Sequence, residues 1–167
     1  MADRSFLFLH IGKTGGTALR AVLEQHAARS GQDSMRKLPH KFTLHRVIYE
    51  FPEAQIGLFV RDPVQRFVSG FLSRRRCGRP RYNSTWSVEE TRAFTMFPTP
   101  TQLGEALARR DPEAICAVAA IQHTRRNLAH YLHDVSTLER FRGRIGFIGR
   151  LDRLERRYGL AQTQAEY

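Results

Sequence analysis

Apolar residues run almost unbroken from residue 5 to residue 11 before the chain turns to lysine, threonine and glycine. A short continuous apolar run suits a strand buried on both faces, as in a parallel sheet. It is too short for a membrane helix or a signal segment, and Lys13 and Arg20 follow it closely. Leu19, Val22, Leu23 and His26 then recur at helical spacing, with Gly31 as a stop signal. Leu44, Val47, Ile48 and Phe51 fall at i, i+3, i+4 and i+7, which predicts a helix that ends before Pro52. Residues 55–61 are the next buried-strand candidate. Asp62 can cap the helix after it, and Pro63 suits that helix's first turn. The expected core face of this helix is Val64, Phe67, Val68 and Phe71, with Arg66, Ser69 and Ser73 on the opposite side.

Residues 74–83 form a basic stretch with Gly and Pro, carrying Arg74, Arg75, Arg76, Arg79 and Arg81. Ser87 with Glu90, and Thr99 with Gln102, are spaced as capping boxes for two short helices. Asp111-Pro112 opens a helical stretch expected to continue to about Leu132. Residues 144–149 read as another strand, and 151–158 as a last helix stopped by Gly159. No repeat, low-complexity segment or linker divides the chain. The pattern predicts a single α/β domain over residues 1–167, with a mostly parallel central sheet flanked by helices.

A chain of 167 residues is long enough to bury a real core, and a charged fraction of 26% is ordinary for a globular protein. The charge balance is less ordinary. The net charge is +11, and only Lys13, Lys37 and Lys41 among the 27 basic residues are lysines. Arginine forks suit phosphate, sulfate and carboxylate, and a positive field favours anionic partners. A solvated arginine-rich face is the plainer reading of the same numbers. Cys77 and Cys116 show no metal or redox spacing, so they read as free thiols in a reducing, cytoplasmic setting, and no metal site is expected.

The turn after the first strand, from His10 to Thr17, carries the chemistry. Backbone amides of a glycine-rich turn can converge on an anion, and the N-terminus of the next helix adds its dipole. Lys13 brings a mobile charge, and Thr14 and Thr17 bring hydroxyls. The turn is not a Walker A loop, which would need glycine where Leu7 stands, nor does it match the dinucleotide fingerprint.

The segment His10-Ile11-Gly12-Lys13-Thr14-Gly15-Gly16-Thr17 resembles the 5′-phosphosulfate loop of carbohydrate-type sulfotransferases, usually H-[IV]-P-K-[TC]-G-G-[TS]. The stretch Arg61-Asp62-Pro63-Val64-Gln65-Arg66-Phe67-Val68-Ser69 resembles the same family's second signature, R-D-P-x-x-R-x-x-S. The two together, in this order, are the specific feature. The resemblance covers residues 5–150 and implies a P-loop-like, nucleotide-kinase-like fold. It also implies 3′-phosphoadenosine 5′-phosphosulfate (PAPS) as sulfuryl donor. Lys13, Thr14, Gly15, Gly16 and Thr17 would hold the 5′ end, and Arg61 and Ser69 the 3′-phosphate. Arg66 is open between a cofactor contact and structural support of Asp62.

Sulfuryl transfer needs donor and acceptor held in line, charge neutralised on the leaving oxygen, and a base for the acceptor hydroxyl. Lys13 suits the leaving oxygen. His40, 21 residues before Arg61, approximates the position of a catalytic histidine in the resembled enzymes. His45 is a weaker candidate, His10 reads as a residue that positions the loop, and His123, His130 and His133 as structural residues of the central helix. The implied acceptor is a hydroxyl-bearing small molecule or glycan. Lys41 and the arginines of 74–81 could receive an anionic acceptor, although such runs are usually solvated.

The chain departs from the family pattern at Gly12, which replaces proline, and in the residues from Arg150 to Arg157. Relatives also continue beyond the point where this chain ends, leaving a minimal member, a truncated frame and a fragment as open readings. The rival readings are a nucleotide-binding relative without turnover, a basic nucleic-acid or anion-binding module, and an atypical nucleotide kinase. Nucleic acid is the less favoured partner, because basic and aromatic residues do not interleave as in a reading motif.

Overall fold

The computed structural model describes residues 6–16, 19, 35–151 and 153. The chain forms two compact units, one of Met1–Asp62 and Leu128–Tyr167, the other of Pro63–Asn127. Of the sequence expectations, the helix through His26 with its stop at Gly31, and most of the one over 151–158, lie outside the described residues.

The first unit is built on a four-stranded parallel sheet of β1 (Phe6–Leu9), β2 (Arg36–Lys37), β3 (Gln55–Val60) and β4 (Ile145–Arg150), in the order β2-β1-β3-β4. β1 and β3 pair in register, Leu7 with Ile56 and Leu9 with Leu58. These four side chains point to one face and are buried with Leu38, Leu44 and Val47. Each fully buried Leu or Ile contributes about 1.5–3 kcal/mol. Rings occupy the alternate positions: Phe59 meets Phe8 and Phe147 in tilted contacts, 5.6 Å from each between centroids. Because the strands are parallel, their carboxyl ends share one edge, and His10, Leu38, Arg61 and Leu151 follow them there.

Helix α1 (Leu44–Glu50) is capped by Thr43, whose hydroxyl accepts from the Arg46 amide. It buries Leu44 and Val47, with Ile48 and Phe51 packed on the same cluster, as the i, i+3, i+4, i+7 pattern predicts. The β4 end of the sheet is tied down by Arg144, whose guanidinium donates to the carbonyls of Ala54 and Phe51.

The second unit contains α2 (Pro63–Arg75), α3 (Val88–Met96), α4 (Pro100–Ala108) and α5 (Pro112–Ala120). Both capping boxes are formed, at Ser87/Glu90 and Thr99/Gln102. The core gathers Phe71, Phe94, Leu103 and Ile121, with Phe94 meeting Phe71 edge-on at 5.1 Å.

Two expectations need correction here. The core stripe of α2 is only partly Val64, Phe67, Val68 and Phe71: Phe71 is buried and Phe67 packs on the same cluster, but Val64 is 68% exposed, and Arg66, Gly70, Ser73 and Arg74 are buried with Phe71. The helix can turn this polar stripe inward because its arginines find partners. Arg74 belongs to the last turn of α2 rather than to a solvated loop, and its guanidinium grips both Glu90 carboxylate oxygens and the carbonyls of Ser84 and Thr85. Arg66 is also buried and donates to the Arg126 carbonyl, a structural contact.

Second, the helical stretch expected from 111 to about 132 is broken. α5 ends at Ala120, and a new helix, α6 (Leu128–Leu132), begins in the first unit. Between them the Thr124 hydroxyl contacts the carbonyls of Val118 and Ile121, and Arg66 takes that of Arg126. Side chains thereby compete for carbonyls that a continuous helix would use. A short helix α7 (Val135–Arg140) and a 3-10 turn, Arg142–Arg144, lead into β4.

Candidate functional site

β1 delivers the chain to the carboxyl edge of the sheet, where the backbone folds back on itself. Lys13 and Gly15 are both left-handed, with φ of 67° and 81°, and flank Thr14, which is not. Alternation of this kind is the backbone pattern by which an anion nest turns successive N–H groups toward one concavity. A left-handed lysine costs about 1–2 kcal/mol, so the fold must hold it there. Part of that hold is Thr14. It is fully buried, and its hydroxyl donates to the Ile11 carbonyl at 2.8 Å. The hydroxyl expected to face the anion therefore braces the loop instead. The Leu19 amide donates to the Gly15 carbonyl at 3.0 Å, so a helical turn starts directly after the nest.

The loop rests on His10. A Cβ at Gly16 would lie 1.8 Å from His10 Nε2, so this position accepts only glycine while the ring stays in place. Burial, with the nearby His40 and Lys37 charges, pushes the His10 pKa down to about 3. The ring is neutral wherever the protein works, in keeping with a positioning role. The His40 ring sits over it, 3.7 Å between centroids, and His40 is itself exposed. His40 thus joins the loop: its Nδ1 is 4.0 Å from where a Cβ at Gly12 would be.

A model of the Sulfotransferase family matches residues 2–157. The chain belongs to that family. Sulfuryl transfer is therefore its chemistry, and the family acts with a sulfuryl donor on hydroxyl-bearing acceptors. No curated protein and no solved structure matches the chain. Among the described residues, no helix is long and apolar enough to cross a membrane.

The remaining site candidates of this sulfotransferase chain are placed as follows. Lys13, Thr14, Gly15 and Gly16 form the loop; Thr17 lies outside the described residues. Arg61 follows β3, the strand beside β1, and is half-buried at the same sheet edge. Ser69 is half-buried in α2 of the second unit. His45 packs with His133, 6.1 Å between ring centroids. Of the basic stretch, Arg75 lies over the Trp86 ring, Arg76 donates to the Arg79 carbonyl and Arg79 to the Asn83 side chain.

The sequence reading missed two residues that touch the loop. Leu151, directly after β4, packs where a Cβ at Gly15 would be. Tyr131 of α6 brings its hydroxyl to Gly12. Neither lies near the loop in sequence or belongs to a motif, so only the sheet order and the break before α6 could have announced them.

Proposed function

We propose that this protein transfers a sulfuryl group from PAPS to a hydroxyl of an acceptor, most simply a carbohydrate. The observation that carries the reading is the nest of left-handed Lys13 and Gly15 around Thr14, with His40 over His10 beside it. A nest closed to side chains at Gly15 and Gly16 suits a small tetrahedral anion approached by backbone. The carbohydrate acceptor rests on the likeness of the loop to that of the carbohydrate-type enzymes.

In this reading the amides of Lys13, Thr14, Gly15, Gly16 and Thr17 hold the 5′-phosphosulfate, and Arg61 and Ser69 hold the 3′-phosphate. When bound, the donor supplies an electrophilic sulfur on a phosphate leaving group. Lys13 neutralises charge on the phosphate oxygen as the S–O bond breaks. His40 accepts the proton of the acceptor hydroxyl as its oxygen bonds to sulfur. His10, neutral and buried, keeps that imidazole oriented.

Calorimetric titration with adenosine 3′,5′-bisphosphate and with adenosine 5′-monophosphate tests this reading. The bisphosphate should bind at least about tenfold more tightly, the scale of one charge-assisted contact, and Arg61→Ala or Ser69→Ala should erase the preference. Equal affinity for the two nucleotides would sink the assignment. With PAPS and a panel of glycans, His40→Asn should lower kcat by about 10²–10⁴ with little change in nucleotide affinity.

A further inference from the structure

Three glycines shape the loop, each for a different reason. Gly15 needs its left-handed φ, and Gly16 must leave room for the His10 ring. Gly12 has no left-handed φ. The nearest atom to a Cβ there is the Tyr131 hydroxyl oxygen, at 3.3 Å, with His40 Nδ1 next at 4.0 Å. Tyr131 is 3% exposed and belongs to the apolar cluster under the sheet. A phenylalanine would fill that cluster equally well. The hydroxyl is the one part of the side chain that apolar packing does not require, and it is the part that reaches the loop.

We propose that Tyr131 is a positioning residue for the transfer reaction. Its hydroxyl bounds the backbone at Gly12, and so sets where Lys13 begins its left-handed turn and where the face of His40 lies. Glycine is the residue with most backbone freedom to lose, so a loop entering through Gly12 needs an outside contact to stay in one conformation. Misplacement of about 1 Å in such a site can cost a hundredfold in rate. Tyr131 supplies that contact from a helix that is anchored in the core through Leu132, with Leu128 packed against it. The proposal rests on the sulfuryl-transfer reading for its catalytic meaning, but not for its structural content.

Tyr131→Phe keeps the apolar packing and removes only the hydroxyl. In the nucleotide-free protein, amide hydrogen exchange of the peptide covering residues 11–16 should quicken about tenfold, the equivalent of one lost polar contact, while the α1 peptide is unchanged. Affinity for adenosine 3′,5′-bisphosphate should fall by a similar factor. Gly12→Ala should weaken that binding at least about tenfold in the native background, but less than about threefold beside Tyr131→Phe, because only the hydroxyl crowds the new methyl. Unchanged loop exchange in Tyr131→Phe would overturn the proposal. So would exchange that rises equally in α1, or the same cost for Gly12→Ala in both backgrounds. If the native protein binds no bisphosphate, the functional reading fails, and the exchange comparison alone still decides the role of Tyr131.

Discussion

The imidazoles of His10 and His40 lie 3.7 Å apart between ring centroids, and only His40 is open to solvent. Two histidines this close cannot both carry a proton at little cost. Here burial decides which one gives way, because the His10 pKa is pushed down to about 3 while its ring wedges under Gly16. The pair is therefore a buried neutral ring beneath an exposed one.

This arrangement has a consequence for acid stability. The His10 pKa falls from an ordinary 6.5 to about 3 on folding, so between those values the unfolded chain binds more protons than the folded one. Stability is then complete above about pH 6.5 and is lost as the pH falls, by up to about 1.4 kcal/mol per unit. Urea midpoints measured between pH 7.5 and 5, above the carboxylate range, should fall with acid in the native protein. The slope should be flatter in His10→Asn, whatever that variant's stability at pH 7.5. Parallel slopes would mean that the ring is not buried as a neutral base.

The same ring makes Gly16 a sensitive position. A methyl there would overlap His10 Nε2, and the His10 ring is also packed against that of His40. Gly16→Ala should cost about 1–3 kcal/mol through overpacking, together with most of the nucleotide affinity. In a His10→Ala background the same change should cost less, and a double-mutant cycle in urea should show coupling above about 0.5 kcal/mol. Additive costs would separate the two residues.

β1, β3 and β4 are legible in the sequence because each is a run of apolar residues flanked by turn or capping residues. β2 is not: Arg36 and Lys37 carry no apolar pattern, and they form a strand only because Leu7 and Phe8 offer a partner. The turn after β1 is equally legible, since Gly12, Lys13, Gly15 and Gly16 fall within five residues, and Lys13 and Gly15 are left-handed. Its supports are not, because Tyr131 and Leu151 reach it only through the fold. The face of α2 misled for a related reason. Hydrophobicity points Val64 inward, but the pairing of Arg74 with Glu90 makes a polar stripe the cheaper one to bury.

Thr14 offers a separate test of the loop. Its buried hydroxyl donates to the Ile11 carbonyl, and an isosteric valine would leave that carbonyl without this donor. Thr14→Val should destabilise by about 1–3 kcal/mol, and Thr14→Ser, which keeps the hydroxyl, by less. Thermal unfolding of both variants would show the order, and a valine as stable as the native threonine would remove the brace from the account.

The second unit contains a buried ion pair. Arg74 and Glu90 are 4% and 5% exposed. Burial pushes the Glu90 carboxyl up, but the Arg74 hydrogen bonds, the amides of Gln122 and Ser87 and the Arg74 charge hold it below its ordinary value. Glu90 also closes the capping box of α3, so one carboxylate joins α2, α3 and the turn after α5. Arg74→Met should therefore cost about 3–5 kcal/mol, because it strands a buried carboxylate. Arg76→Ala, on an exposed neighbour, should stay within about 0.5 kcal/mol. Adding Glu90→Gln to Arg74→Met should recover part of the loss, since the amide keeps an acceptor for Ser87 or Gln122 while removing the stranded charge. Urea unfolding of these variants at pH 7 would measure all three effects. If Arg74→Met behaved like Arg76→Ala, the basic stretch would be a solvated face after all.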